Sequence, residues 1–426
     1  MFDASGLESP AGLTGGPRLG GGRRARAYEV GVVKYLLEDV SRALGRAVPL
    51  DVLCGTSVGA LNACGLAAYA DEDPKARASR LEVVWNQLKI EDLIRFDTRG
   101  LLGMVGRLVG RAPKALLEGA PPLREGGLLD PRGVEQVIAK EIDFSRIRKN
   151  IAAGHLEAIS VSTTHVVSGK TIVYVDRRGG GVPTWNNDPT VEPRAVELRI
   201  EHALASAALP IMFPAVKLDG EFHCDGGLRQ NVPLSPARRL GADGLIVVNP
   251  RHVGGEALAA DMQEEDLFPG PLFLLGKTLN ALLLDRIDTD LARLKSINRI
   301  LEAGMKRYGD EFVDELNKAL GKAPERGVRP LRALLIRSSS DIGHLAAEYV
   351  RSASFRPRAK GAVGRVLLRL AEGDSRNEAD LLSYLLFDGD FCRQLIELGQ
   401  SDTRAMHDEL VAFFERRIGS SFSPAG

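Results

Sequence analysis

Residues 49–70 read PLDVLCGTSVGALNACGLAAYA. Pro49 to Cys54 is a short apolar run of the kind that forms a buried strand, Gly55 bounds it, and Val58 to Ala70 resumes in small, helix-compatible residues. Strand, sharp turn and helix is the context in which Gly55-Thr56-Ser57-Val58-Gly59, a G-x-S-x-G pattern, carries chemistry. A serine on so tight a turn has a strained backbone, and glycines on either side remove the Cβ atoms that would strike the adjoining strand and helix. Ser57 Oγ is then exposed at the carboxyl end of a sheet, and the positive helix end beneath it favours a developing oxyanion. The plainer alternative is a serine in an ordinary strand-to-helix turn.

Outward from this stretch, Ala27 to Leu44 (AYEVGVVKYLLEDVSRAL) has apolar residues at helical spacing and stops at Gly45. Residues 156–176 (LEAISVSTTHVVSGKTIVYVD) predict two strands joined at Ser168-Gly169, and DGLIVVNP (243–250) predicts another buried strand. Strands and helices alternate from 27 to 250, the pattern of an α/β layered domain with a largely parallel sheet. Beyond 250 the pattern turns mostly helical, with one further strand at LRALLIRSS (331–339), so we expect a catalytic domain over 12–250 and a helical C-terminal region over 251–426. Residues 98–130 stand apart. There Leu101, Met104, Val105 and Leu108 share a helical face near Arg107, Arg111 and Lys114, which suits either a membrane-facing basic cap or a surface helix docked on its own domain.

The 426 residues hold 56 Lys plus Arg against 56 Asp plus Glu, so no global field gathers polyanions, and nucleic acid is not an expected partner. Four cysteines, at 54, 64, 224 and 392, lack metal-ligand spacing and fit a reducing compartment. The first residues, MFDASGLESPAGLTGG, lack the basic and apolar regions of an export signal, which leads us to expect a cytoplasmic protein. The most apolar run, 267–285, is broken by two prolines and a lysine, so membrane contact is expected to be peripheral. No oligomeric state is implied.

A serine hydroxyl needs a base to take its proton. A Ser-acid-His hydrolase would place one of His252, His344 or His407 in that role, although none lies in a persuasive loop motif. Phe222-His223-Cys224-Asp225-Gly226-Gly227 offers a carboxylate instead, held before two glycines that allow close backbone approach. Taken alone, Asp-Gly-Gly is also good hairpin-turn chemistry. Just upstream lies Ala205-Ser206-Ala207-Ala208-Leu209-Pro210-Ile211-Met212-Phe213-Pro214, and just downstream lies Asn231-Val232-Pro233. G-x-S-x-G, then A-S-x-A-x-P-x-x-F-P, then D-G-G and N-x-P, in that order, resembles the patatin-like phospholipase family, bacterial members included.

That resemblance covers roughly residues 12–250; 27–36 is similar to the first family helix, and 276–298 and 383–391 to C-terminal parts of bacterial members. It implies a three-layer α/β/α fold, hydrolysis of lipid acyl esters, and a Ser-Asp dyad of Ser57 as nucleophile and Asp225 as general base. Phospholipid or another acyl ester is then the implied substrate, and neither metal nor cofactor is needed. The family's oxyanion hole is a glycine-rich loop, which here implies Gly20, Gly21, Gly22 and Arg23. The chain departs from the family spacing: Gly20 to Tyr28 is one residue longer, and the strand before it is poor in β-branched residues. A second register starts the loop at Leu13-Thr14-Gly15-Gly16; the first keeps the glycines beside the helix. The irregular loop also keeps open a catalytically impaired domain that binds lipid or a protein. A dinucleotide fingerprint over Gly20, Gly22 and Ala25 ranks low, because no convincing strand precedes it.

Overall fold

Among the described residues, nine strands form one sheet around the strand that begins the opening stretch. The computed structural model describes residues 18–21, 27–88, 95–96, 129–182, 188–228, 234–252, 287–321, 327–359, 361–372, 382 and 386–415. The strands are β1 (Arg18–Gly21), β2 (Val52–Thr56), β3 (Arg95–Phe96), β4 (Leu129–Asp130), β5 (Ala158–His165), β6 (Thr171–Arg177), β7 (Val191–Ala195), β8 (Val216–Leu218), β9 (Glu221–Asp225), β10 (Gly244–Asn249) and β11 (Arg332–Arg337). β3 and β4 make a separate two-stranded ribbon; the main sheet runs β11-β10-β1-β2-β5-β6-β7, with β9 on β5 and β8 on β9.

From β11 through β5 every pairing is parallel, and so is β6 with β7, whereas β5–β6, β5–β9 and β8–β9 are antiparallel. Parallel strands need crossovers, which the helices supply. These are α1 (Tyr28–Tyr35), running through a π turn (Leu36–Val40) into α2 (Ser41–Leu44), then α3 (Val58–Ala68), α4 (Pro74–Asn86), α5 (Arg132–Glu141), α6 (Ser145–Ala153) and α7 (Ile200–Ser206). Next come α8 (Leu234–Arg239), α9 (Ile287–Tyr308), α10 (Phe312–Ala319), α11 (Ile342–Arg351), α12 (Gly361–Glu372), α13 (Gly389–Ala405) and α14 (His407–Glu415). The helix expected over 27–44 is found with its stop in place: Gly45 caps it at φ 65, a left-handed conformation that favours glycine.

Side-chain alternation divides the interior between the two faces of the sheet. Leu53, Ile159, Ile246 and Val248 face a large core with α1, α3 and the C-terminal helices, while Val52, Cys54, Ala158, Leu245 and Val247 face a smaller one with Ala237 of α8 and Ile287 and Leu291 of α9. With helices on both faces, this is the three-layer α/β/α arrangement. Residues past 250 share its core. β11 pairs with β10 over six positions, and α13 lies so close to α1 that a Cβ on Gly31 would meet Ile396 O and one on Gly399 would meet Tyr28 O. Tyr28 Oη also donates to Asp402 Oδ2 at 3.0 Å.

Several expectations fall elsewhere. The strand expected over 49–54 runs from Val52 to Thr56, where β5 supplies ladder partners from Ala158 to Ser162. Gly20 and Gly21, expected in a loop, are the last residues of β1, paired with Val247 and Val248 on one side and with Cys54 and Gly55 on the other. Two flanking strands override the weak β propensity of glycine. Gly22 and Arg23, the basic cap over 98–128, the apolar run 267–285, and Asn231 and Pro233 lie outside the described residues. Among the described residues, no helix is long and apolar enough to cross a membrane.

Candidate active site

The register of β5 brings the two motifs together. One edge of β5 is taken by β6; the other is taken by β2 only as far as Thr56 opposite Ser162. β9 occupies the next positions on that edge, running antiparallel, with Asp225 opposite Thr163 and His223 opposite His165. β2 and β9 therefore point at each other end to end along β5, and Ser57, just past the last β2 pair, meets Asp225, the last residue of β9, which is paired with Thr163.

Ser57 stands at φ 59, ψ −129, between the end of β2 and the first residue of α3. This backbone conformation is uncommon for a residue with a Cβ and marks stored strain. Gly55 makes the turn fit: a Cβ there would collide with the backbone of Gly59 and Ala60. Thr56 is buried in the strand, Val58 opens the helix, and Ala60 N–H donates to Ser57 O at 3.0 Å, closing its first turn. Ser57 Oγ donates to Asp225 Oδ2 at 2.7 Å, and where an exposed serine was expected both residues are almost wholly buried, at 5% and 1% exposed.

Asp225 is fixed from three sides. Its Oδ1 accepts the Gly227 N–H at 3.0 Å, its carbonyl accepts Thr164 Oγ1 at 3.0 Å, and its N–H donates to Ala208 O at 2.8 Å. Gly226 begins a 3₁₀ turn (Gly226–Leu228), and a Cβ on it would collide with Ser162 O, so the glycine after the acid is a packing requirement. The hairpin turn that Asp-Gly-Gly suggests occurs one strand earlier. Asp219 and Gly220, both at positive φ (47° and 94°), connect β8 to β9. A mostly apolar pocket is lined by Val58, the residue after Ser57, and by Ala208, whose carbonyl accepts the Asp225 N–H, together with Leu61 of α3, Leu204 of α7, Phe213 and Val216.

The histidines lie elsewhere. His252 Nδ1 is 3.2 Å from Ser338 O, His344 forms an exposed pair with Glu348, and His407 Nδ1 is 3.1 Å from Tyr35 Oη. His223, on the strand of Asp225, is fully buried with Nδ1 3.1 Å from Thr163 Oγ1 and Nε2 3.3 Å from Tyr174 Oη. Burial, with positive neighbours His165 and Arg194, pushes its imidazole down to about 4. Nothing in the sequence flagged this burial beyond the alternation that puts Phe222 outside and His223 inside. Sequence reading also left Ser206 without a role, although its Oγ accepts the Ser57 N–H at 2.8 Å.

An aspartate in contact with a serine hydroxyl at a strained strand-to-helix turn has the chemistry to accept the serine proton, which would make the oxygen a nucleophile. A family model described as patatin-like phospholipase matches residues 19–238, just over half of the chain. No curated protein matches it in sequence. Among solved structures, VipD from Legionella pneumophila is similar over 91% of this chain and 67% of its own, at 13% identity and a TM-score of 0.31. Human GIVD cytosolic phospholipase A2, in complex with methyl gamma-linolenyl fluorophosphonate, is similar over 94% of this chain and 59% of its own, at 11% identity and a TM-score of 0.40.

Proposed function

The chain belongs to the patatin-like phospholipase family of lipid hydrolases, and from that premise we propose that it cleaves fatty-acyl esters through a Ser57–Asp225 dyad and an acyl-enzyme. The observation that carries the reading is the 2.7 Å hydrogen bond from Ser57 Oγ to Asp225 Oδ2 at the opposed tips of β2 and β9. Asp225 takes the Ser57 proton as Oγ attacks the ester carbonyl, and returns it to the departing alcohol. Water, deprotonated by the same carboxylate, then attacks the acyl-serine; the acyl C–Oγ bond breaks, Asp225 passes the proton to Ser57 Oγ, and the fatty acid is released.

The Gly227 N–H on Oδ1 leaves Oδ2 to face the hydroxyl, so one oxygen orients the carboxylate while the other handles the proton. Stabilisation of the tetrahedral oxyanion is assigned to backbone N–H groups of the segment that follows Gly21, beginning with Gly22 and Arg23, together with the positive end of α3. The pocket of Val58, Leu61, Leu204, Ala208, Phe213 and Val216 would take the hydrocarbon chain. Burial of the serine and the acid suits this assignment, because a proton transfer is little screened where water is scarce.

An alkyl fluorophosphonate reacts with an activated serine and mimics the tetrahedral intermediate. Peptide mass mapping of the treated protein is expected to place a single adduct on Ser57, absent after heat denaturation and absent from Ser57→Ala. Hydrolytic activity that survives reagent excess, or an adduct on another serine that abolishes activity, would overturn the assignment.

A further inference from the structure

The backbone N–H of Ser57 lies beyond the end of β2 and before the first residue of α3, so neither ladder takes it. A buried donor in that position needs a dedicated acceptor. Ser206 Oγ is that acceptor, 2.8 Å away. Ser206 is the last residue of α7 and wholly buried, and its hydroxyl hydrogen goes to Ser162 O at 2.6 Å. One hydroxyl thus accepts from the nucleophile's backbone and donates to the strand between the two motifs.

The carbonyl at the end of this relay lies at a junction. Ser162 is the β5 residue paired with Thr56, which precedes the nucleophile, and its neighbour Thr163 is paired with Asp225. Gly226 packs against the same Ser162 oxygen. We infer that Ser206 is a positioning residue for the nucleophile: by tying the Ser57 backbone to Ser162 it holds the strained turn at the height along β5 where Oγ reaches Asp225. The role rests on the hydrolase reading above. Without the tie, a residue at φ 59 is free to relax toward ordinary backbone angles, and Oγ leaves the acid. The neighbouring Ala205 and Ala207 carry no hydroxyl, so the relay is particular to position 206.

The test compares full-length wild type with Ser206→Ala, with Ser206→Cys, which is nearly isosteric but a weak hydrogen-bond partner, and with Ser206→Thr, which restores a hydroxyl. Amide hydrogen exchange at residue 57 is read first. Hydrolysis of a soluble p-nitrophenyl ester follows, with rates normalised to sites titrated by fluorophosphonate. In the Ala and Cys variants, exchange at Ser57 is expected to accelerate and kcat to fall about 10- to 100-fold with KM within about twofold; Thr recovers most of the loss. Unchanged protection at Ser57 in either variant, or kcat per titrated site equal to wild type, would overturn the inference. If even the Cys variant does not fold, Ser206 is structural and the positioning role is refuted. Should wild type itself hydrolyse nothing, the hydrolase reading fails, and exchange at Ser57 alone decides whether Ser206 holds the turn.

Discussion

Lowering the pH should weaken the strand that carries the acid, and His223 sets how much. It is buried between Thr163 and Tyr174, with His165 and His202 nearby and the Arg194–Glu221 pair at the strand start. In the folded protein its imidazole titrates at about 4 instead of 6.5, first because burial opposes the charge and then because His165 and Arg194 repel it. A folded value below the unfolded one means the unfolded chain binds the extra proton. Stability from this site is therefore complete above pH 6.5, falls as pH drops below that, and is exhausted below about 4. The full gap corresponds to about 3 kcal/mol, and about 2 kcal/mol of it is lost between pH 7.5 and pH 5.0. Urea unfolding of wild type and His223→Gln at those two pH values isolates the effect, because other carboxyls and histidines titrate alike in both. The variant should be less stable at pH 7.5 and lose about 2 kcal/mol less than wild type on going to pH 5.0. Equal losses in the two proteins would refute the assignment of acid lability to His223.

Gly226→Ala forces a methyl group against Ser162 O and should cost about 1–3 kcal/mol in urea unfolding, with a loss of turnover as Asp225 shifts. Gly399→Ala presses on Tyr28 O across the α13–α1 contact and should lower the thermal midpoint by a similar free energy, far from the dyad; an unchanged midpoint would show that the contact gives way. Replacing His252, His344 or His407 by Gln should leave kcat/KM within about twofold, whereas a large loss at any of them would revive a triad.

How much of this was readable in the residues depends on how local the cause was. The α1–α2 segment declared itself through helical spacing and Gly45, and the β5–β6 hairpin through its apolar run and Ser168-Gly169, because neighbours in sequence decide both. The order of the strands was not readable. That β9 follows β2 on one edge of β5 depends on pairings between residues far apart in sequence, such as Thr56 with Ser162 and Thr163 with Asp225, and no periodicity encodes them. Gly20 and Gly21 were misplaced for the same reason: their β conformation is imposed by β2 and β10 and not by their own preference. At the site, Ser57 stood out because G-x-S-x-G is a local pattern, and Asp225 needed the flanking motifs. Ser206 lies within one of those motifs, but its relay to Ser162 exists only in three dimensions.

Ser57 and Asp225 are proposed to act together on an acyl ester. Asp225→Asn is the sharpest variant, since an amide oxygen can still accept the Gly227 N–H while the side chain can no longer take the Ser57 proton. The decisive measurement is fatty-acid release from phospholipid vesicles by wild type, Ser57→Ala and Asp225→Asn, each with an unchanged thermal midpoint. Release by wild type with a loss of about a thousandfold or more in both variants is the predicted result. Release persisting near the wild-type rate in either folded variant would contradict the dyad.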